Sequence, residues 1–257
     1  MLRTDIDFGP IFIATSFYLT VFVIAELTRK IVDRLADCAI LFLLTPSSSA
    51  IQVLYVAYNT RLYYFFIEAV ATSQMCACVY ENAVIIRHYG PMGFFFAVTS
   101  VLFAGGFTNR GAFVSPLKPI EMFYHGSIGF DRLLSVVAGE ALGGYSAYRV
   151  ARQLWYWSLN IAADHAINYG NTRCAFAYKS SVRYATPAVT SAFLTFSLAY
   201  IGVSGLNPTV ASSRMHGCDG LSTQWFILTY WVCPTVGWML STIVDSKWKA
   251  LISRKEE

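Results

Sequence analysis

Charged residues are scarce in this sequence. Of its 257 residues, 13% are Asp, Glu, Lys or Arg, whereas 56% are hydrophobic, and the mean hydropathy is +0.49. Soluble globular domains carry about 25% charged residues, so a soluble domain is excluded. Several uncharged runs approach or exceed the roughly 20 residues that cross a bilayer as a helix. The chain is therefore predicted to be an all-α, polytopic protein of the lipid bilayer.

Clusters of residues that carry chemistry are also missing. The four histidines are dispersed, at positions His88, His125, His165 and His216. No Ser/His/Asp or metal-ligand spacing joins them, so we expect no enzyme, cofactor or metal site. Cys76 and Cys78 lie in an apolar run, which favours buried small side chains over zinc ligands. The formal charge of +4 is spread among the loops, whereas nucleic-acid binding needs basic residues on one face.

Six apolar runs are the candidate membrane spans. They cover residues 10–27, 62–86, 94–107, 133–148, 184–206 and 221–244. A further segment, residues 38–58, is apolar at both ends but is broken by Thr45-Pro46-Ser47-Ser48-Ser49. Three interpretations of residues 38–58 are open: a membrane span, a re-entrant or interfacial segment, and an insertion that the other spans do not require. Arg29, Lys30 and Arg34 follow the first run and favour a cytoplasmic exit by the positive-inside rule.

The stretch Gly205-Leu206-Asn207-Pro208-Thr209-Val210 is a polar break between two apolar runs. Asn before a helix and Pro at its first position are favoured helix starts, so a short helix that dips into the membrane is predicted from Pro208. In lipid such a break is tolerated only where it lines a cavity or packs against protein. Its free N–H groups would face a polar permeant. The alternative is an ordinary turn between two membrane helices.

These residues resemble the second Asn-Pro-Ala box of the aquaporin (major intrinsic protein) family, with Thr209 in place of Ala. The segment Tyr230–Gly237, YWVCPTVG, is similar to the pattern of the helix that follows this box. Cys218, nine residues beyond Thr209, is placed like the marker cysteine of the intracellular superaquaporin branch. The resemblance implies a bundle of about six membrane helices with one or two re-entrant half-helices. It implies structural roles for Cys218, Trp231, Pro234 and Gly237.

Two further segments carry the resemblance. Glu68–Thr72 looks like the Glu-x-x-x-Thr of the first aquaporin helix, whose Glu accepts hydrogen bonds from a pore-loop backbone. The alternative for Glu68 is a neutral, protonated side chain at a helix contact. Ala138–Gly144 looks like the small-residue face of the third helix, with Glu140 where Gln is common. Gly139 and Gly143 are four residues apart and allow close helix approach.

The family pattern places the first box at Asn109-Arg110-Gly111, where Arg replaces Pro and Gly replaces Ala. Both replacements weaken a helix start. We expect Arg110 either to add a fixed positive charge at the constriction or to extend to the headgroups. Val210 stands where the family usually has an Arg that narrows the pore. This implies a wider, more apolar filter for glycerol, hydrogen peroxide or other small neutral solutes rather than water alone. Thr195 is the expected lining residue of the fifth helix.

The region where the family has its fourth helix departs from the pattern. Residues 160–183 contain no apolar run long enough to span, so we expect a loop there. This departure favours an alternative function, a non-conducting protein with a structural or interaction role in an internal membrane.

The resemblance also divides the chain into regions. Residues 1–60 are an unassigned hydrophobic extension, residues 61–246 an aquaporin-like channel domain, and residues 247–257 a polar cytoplasmic tail. The final Arg254-Lys255-Glu256-Glu257 resembles a dibasic retrieval signal and favours the endoplasmic reticulum. Since aquaporins usually form tetramers, a homotetramer is implied.

Overall fold

The computed structural model describes residues 8–43, 49–170, 207–215 and 222–256. Within these ranges all regular structure is helical, which confirms the all-α membrane fold. The helices are α1 (Gly9–Leu43), α2 (Ser49–Thr108), α3 (Leu117–Tyr124), α4 (Phe130–Trp157), α5 (Ala163–Gly170), α6 (Pro208–Met215), α7 (Thr223–Ile227) and α8 (Cys233–Glu256). A π-helical turn, Leu228–Val232, joins α7 to α8. The predicted span 184–206, Thr195 and Cys218 lie outside the described residues.

Three stretches of the described chain are long and apolar enough to cross a membrane, Gly9–Asp37, Thr60–Thr108 and Thr223–Val244. The second is too long for one crossing, and it breaks at Gly90. There φ is 62°, a left-handed conformation that glycine adopts without steric cost, and Pro91 follows. Helix α2 therefore has a first arm, residues 49–89, and a second arm, residues 91–108. These arms contain the two apolar runs predicted as separate spans.

Helix α4 packs against the first arm of α2 with backbone contact. A Cβ atom added at Gly139 would lie 2.3 Å from the carbonyl oxygen of Phe65, and one at Gly143 would lie 2.4 Å from that of Ala69. The contacts advance by four residues on both helices, so α4 runs parallel to this arm. The close approach depends on glycine at both positions.

Helix α1 packs on the same arm from another side. Phe17 and Val21 enter the main hydrophobic core beside Trp155 of α4. The Tyr18 hydroxyl donates a hydrogen bond to Oδ1 of Asn82 at 2.5 Å. The residues of the N-terminal extension that are described are therefore part of the bundle. Residues 38–43 continue α1, and residues 49–58 begin α2.

The expected loop at residues 160–183 is wrong in its first part, because Ala163–Gly170 forms α5. Eight residues are too few to cross a bilayer, and polar contacts hold the helix in place. His165 of α5 lies 2.6 Å from the Ser158 hydroxyl and 3.0 Å from Oε1 of Glu81. Such contacts join residues distant in sequence and leave no local pattern. Residues 171–183 lie outside the described residues.

Candidate functional site

The first short helix of a re-entrant loop is α3, and it begins after Ser115-Pro116. Pro116 has helical dihedral angles, φ −68° and ψ −13°, which suit the start of a helix. Asn109 instead lies at the end of the second arm of α2, where a half-helix was expected to begin. The reason is that Arg110 and Gly111 have positive φ values of 53° and 80°, so the chain turns there. The start predicted at Asn109 is therefore found at Leu117.

The second short helix, α6, begins at Pro208 as predicted, and Asn207 caps it. Oδ1 of Asn207 accepts a hydrogen bond from the backbone N–H of Thr209 at 3.0 Å, which is the usual capping contact. Thr209 is buried against Gly144 of α4, where an added Cβ would lie 2.9 Å from Cγ2 of Thr209. The small residue on α4 lets the half-helix enter the bundle.

The N-terminal ends of α3 and α6 meet inside the bundle. Nδ2 of Asn207 donates a hydrogen bond to the carbonyl oxygen of Val114 at 2.8 Å. We call Val114, Ser115 and Asn207 the junction. Because the positive end of a helix dipole lies at its N-terminus, the junction combines two partial positive charges.

The two half-helices leave the junction in opposite directions. Beyond α3, Asp131 pairs with Arg61 in the N-terminal half of the first arm of α2, with 2.6 Å between Nη2 and Oδ2. Along α6, the carbonyl of Ser213 accepts a hydrogen bond from Tyr80, near the other end of the same arm. Two half-helices that start together and diverge to opposite faces give an hourglass arrangement.

Glu68 fixes the backbone beside the junction. It is 3% exposed. Oε1 accepts a hydrogen bond from the Phe113 N–H at 2.9 Å, and Oε2 accepts from the Val114 N–H at 3.2 Å. Both donors belong to the segment that leads into α3. The contact has the form that the Glu-x-x-x-Thr resemblance implies, and hydrogen bonding offsets the cost of burying the carboxylate.

The junction has polar groups that can bind a passing molecule. An Asn amide has two N–H donors, and one donor of Asn207 is used by Val114. The half-buried Ser115 hydroxyl can both donate and accept. Within the described ranges, neither this hydroxyl nor the second Asn207 N–H has a protein partner. Within those ranges, too, no group of His, Cys, Asp or Glu is arranged to hold a metal ion.

Other residues singled out in the sequence surround the junction. Glu140 is 1% exposed on α4. Val210 is half-buried on α6, against the hydrophobic core. One turn further, Arg214 is buried with its guanidinium 5.4 Å from the centre of the Tyr80 ring. The sequence analysis did not identify Arg214. Its local indication was an Arg one helical turn after Val210.

The last span is joined to α6 by its Trp. Nε1 of Trp231 donates a hydrogen bond to Oγ of Ser212 at 2.9 Å. Pro234 follows the π-helical turn and, lacking an N–H, leaves the carbonyl of Tyr230 without its usual helical donor, which explains the widened turn. Gly237 faces open space, since an added Cβ would contact nothing within 4 Å.

Asn109 and Arg110 do not reach the junction. Oδ1 of Asn109 accepts a hydrogen bond from Arg29 of α1 at 3.3 Å, and Arg110 pairs with Glu26 and Asp33 of α1. In the structure the charge of Arg110 is therefore paired with α1. Gly111 provides the positive φ of the turn.

Two known proteins resemble most of the chain. Putative aquaporin-10 of Caenorhabditis elegans is 29% identical over 262 residues, which covers 91% of this chain and 86% of that protein. Aquaporin-11 of Milnesium tardigradum is 22% identical over 213 residues, or 74% of this chain and 78% of that protein. The chain is thus similar to aquaporins over most of its length. No protein-family model and no solved structure matches it.

The chain is an integral membrane protein, and its similarity to these relatives supports a superaquaporin-like member of the aquaporin channel family. The start of α3 was missed because Ser115-Pro116 lacks the Asn of Asn207-Pro208. A signal was nevertheless present, a capping residue followed by Pro at a helix start.

Proposed function

We propose that this protein is an aquaporin, a passive channel for small neutral solutes that conducts glycerol and hydrogen peroxide as well as water. The observation that carries the proposal is the 2.8 Å hydrogen bond between Asn207 and Val114, which joins the N-terminal ends of α3 and α6. Half-helices that point their N-termini at one place are a means of binding polar groups at membrane depth.

The junction supplies donors to a permeant oxygen. The second N–H of Asn207 and the hydroxyl of Ser115 replace part of the hydration of the permeant. The two helix dipoles repel cations and interrupt a proton wire. Because catalytic groups have no role in this mechanism, the protein acts as a channel and not as an enzyme.

In this proposal the first box is Ser115-Pro116-Leu117, in place of Asn109-Arg110-Gly111. A serine hydroxyl is shorter than an Asn amide and can accept as well as donate. The second box is Asn207-Pro208-Thr209. Val210 leaves the filter wide and apolar, and Thr195 contributes to the lining from the fifth helix.

The protein acts in an intracellular membrane and assembles as a homotetramer. The C-terminal Arg254-Lys255-Glu256-Glu257 supports retention in the endoplasmic reticulum, since a basic tail is typical of the cytoplasmic face. Tetramers are the usual state that the family resemblance implies.

A second candidate function is a non-conducting protein with a structural or interaction role. It is favoured by the single apolar run, residues 184–206, between α5 and α6. The family pattern has two helices in this place. A chain that lacks one of them would leave the wall of a pore incomplete.

Osmotic swelling of proteoliposomes separates the two functions. Liposomes with the wild-type protein are expected to swell faster than empty liposomes in both water and glycerol gradients. Val210→Arg is expected to slow glycerol more than water, because a long charged side chain narrows the filter, whereas Val210→Ile leaves both rates near the wild-type values. Wild-type rates equal to those of empty liposomes would leave only the non-conducting function.

A further inference from the structure

A buried arginine ties α1 to both arms of α2. Arg29 is 0% exposed within the candidate span Gly9–Asp37. A charged side chain in a span is costly unless it is partnered, and it marks a functional position. Nη2 of Arg29 donates to Oε1 of Gln74 on the first arm at 2.7 Å and to Oδ1 of Asn109 at 3.3 Å. The guanidinium group of Arg29 therefore contacts Asn109, which follows the second arm at the point where the re-entrant loop begins.

The next residue of the loop makes a second connection to α1. Nη2 of Arg110 donates to Oε1 of Glu26 at 2.7 Å, and Nη1 pairs with Asp33. Glu26 and Asp33 are seven residues apart, so they lie on one face of α1. One guanidinium thus binds two carboxylates of the same helix, a geometry that lysine cannot reproduce.

Arg110 has an unfavourable backbone conformation. Its φ of 53° is unusual for a residue with a side chain and costs energy. The backbone N–H of Ala112 donates to the carbonyl oxygen of Asn109 across the turn at 3.0 Å, and the two carboxylates of α1 bind the Arg110 side chain. The turn at Arg110 is thus supported by α1 in addition to its own backbone hydrogen bond.

The turn is close to the junction. Three residues after Arg110, the Phe113 N–H binds Glu68, and the next residue, Val114, accepts the hydrogen bond from Asn207. The loop is therefore fixed at two points, at Asn109-Arg110 by α1 and at Phe113-Val114 by Glu68. Releasing the first point leaves the segment held by Glu68 and Asn207.

We infer that α1 positions the junction of this channel, with Glu26, Arg29 and Asp33 acting as positioning residues through Asn109 and Arg110. The inference rests on the proposed function for its effect on permeation. It gives α1, which carries no motif of the family, a defined role in the site.

Hydrogen exchange of the full-length protein tests the inference without requiring conduction. Arg110→Gln is expected to speed amide exchange in residues 111–114 by about tenfold, because their opening needs less free energy. Asp33→Asn removes the Arg110–Asp33 ion pair by changing the residue on α1. It is also expected to speed amide exchange in residues 111–114. Arg61→Gln is the matched control, because it breaks the exposed Arg61–Asp131 pair, which does not involve the loop.

Coupling between the two sides gives a second readout. The double variant Arg110→Gln/Asp33→Asn is expected to exchange no faster than Arg110→Gln alone, since both changes remove one interaction. In swelling assays both single variants are expected to lower the solute rate several-fold, and Arg61→Gln is expected to have no effect.

The possible results decide between the inference and the proposed function. Unchanged exchange in residues 111–114 of Arg110→Gln, or fully additive effects in the double variant, would overturn the inference. If Arg110→Gln does not fold, Asp33→Asn and Glu26→Gln apply the same test from α1. A wild-type protein that does not conduct, but whose loop exchange follows the expectation, would refute the channel function and leave the positioning role in place.

Discussion

The side-chain amide of Asn207 donates a hydrogen bond to the main-chain carbonyl of Val114, 93 residues earlier in the chain, at 2.8 Å. This contact holds the starts of two half-helices together inside the bundle. Asn207 also caps its own helix through the Thr209 N–H. Its amide is therefore fixed in orientation, and one donor remains for a ligand. The predictions below concern the elements that hold this arrangement or use it.

The contact between α2 and α4 is predicted to depend on Gly139. Gly139→Ala places a Cβ 2.3 Å from the Phe65 carbonyl oxygen, and we expect it to lower the free energy of unfolding by about 1–3 kcal/mol. Gly237→Ala is the control, because its Cβ meets nothing within 4 Å. It should be neutral or stabilise the helix by about 0.5–1 kcal/mol. Denaturant unfolding in detergent measures both changes, and equal effects would contradict the packing described.

The Glu68 carboxylate is predicted to be required as a double acceptor. Glu68→Gln replaces one oxygen with an NH2 group, which faces a backbone N–H and cannot accept its hydrogen bond. We expect a loss of about 1–3 kcal/mol of stability, together with a lower solute rate. Asp131→Asn changes an exposed carboxylate, paired with Arg61, and serves as the control. A Glu68→Gln protein that matches the wild type in both assays would show that the loop does not depend on this carboxylate.

Asp164 is predicted to make stability depend on pH through its contacts with α2. Burial opposes ionisation, but contacts with His88 and Arg87 outweigh it and hold the pKa of the carboxyl below its usual range. A lowered pKa means that the ionised group stabilises the fold above the ordinary Asp pKa of about 3.9. This contribution is lost as the pH falls through the folded pKa.

The measurement compares Asp164→Asn with the wild type over a range of pH. At neutral pH the variant is expected to be less stable by about 1–3 kcal/mol, and the difference should shrink at pH values below the usual Asp range. Asp131→Asn is the control, since its exposed pair with Arg61 contributes at most about 1 kcal/mol. A difference that stays constant down to the lowest pH would contradict the assignment.

Ser115 is predicted to contribute a polar group to conduction. Ser115→Ala removes the hydroxyl without changing the helix start at Pro116, and we expect a lower water rate in proteoliposomes. Ser115→Asn is expected to retain conduction, because its amide can donate as Asn207 does. Ser100→Ala, on an exposed face of α2, is the matched control. Equal water rates for Ser115→Ala and wild type would show that the Ser115 hydroxyl does not contribute to conduction.

How much the sequence could predict depends on how local each signal is. The start of α6 was found because Asn207-Pro208 contains both the cap and the first helical residue. The first half-helix was predicted to start at Asn109, because this Asn fits the family pattern. In the structure α3 begins at Leu117, after Ser115-Pro116. The role of Arg110 could not be found, since its partners Asp33 and Glu26 are 77 and 84 residues away.

The same reasoning applies to the helices. Apolar runs predicted the spans within Gly9–Asp37, Thr60–Thr108 and Thr223–Val244, because burial in lipid needs length and hydrophobicity, both of which are readable locally. The short helix α5 was missed because contacts of His165 and Asp164 with distant residues hold it in place. The structure of residues 171–206 and the number of helices there stay predictions.

The most direct test of the junction is the effect of Asn207→Asp on solute permeation. The change keeps the size of the side chain and the capping oxygen but removes the N–H donors and adds negative charge. Swelling rates per protein should be compared for wild type, Asn207→Asp and Asn160→Asp, the last being the same change at an exposed position. We expect wild type and Asn160→Asp to conduct equally and Asn207→Asp to lose most of its rate. Equal rates in all three would contradict the claim that the meeting point of α3 and α6 is the conducting site.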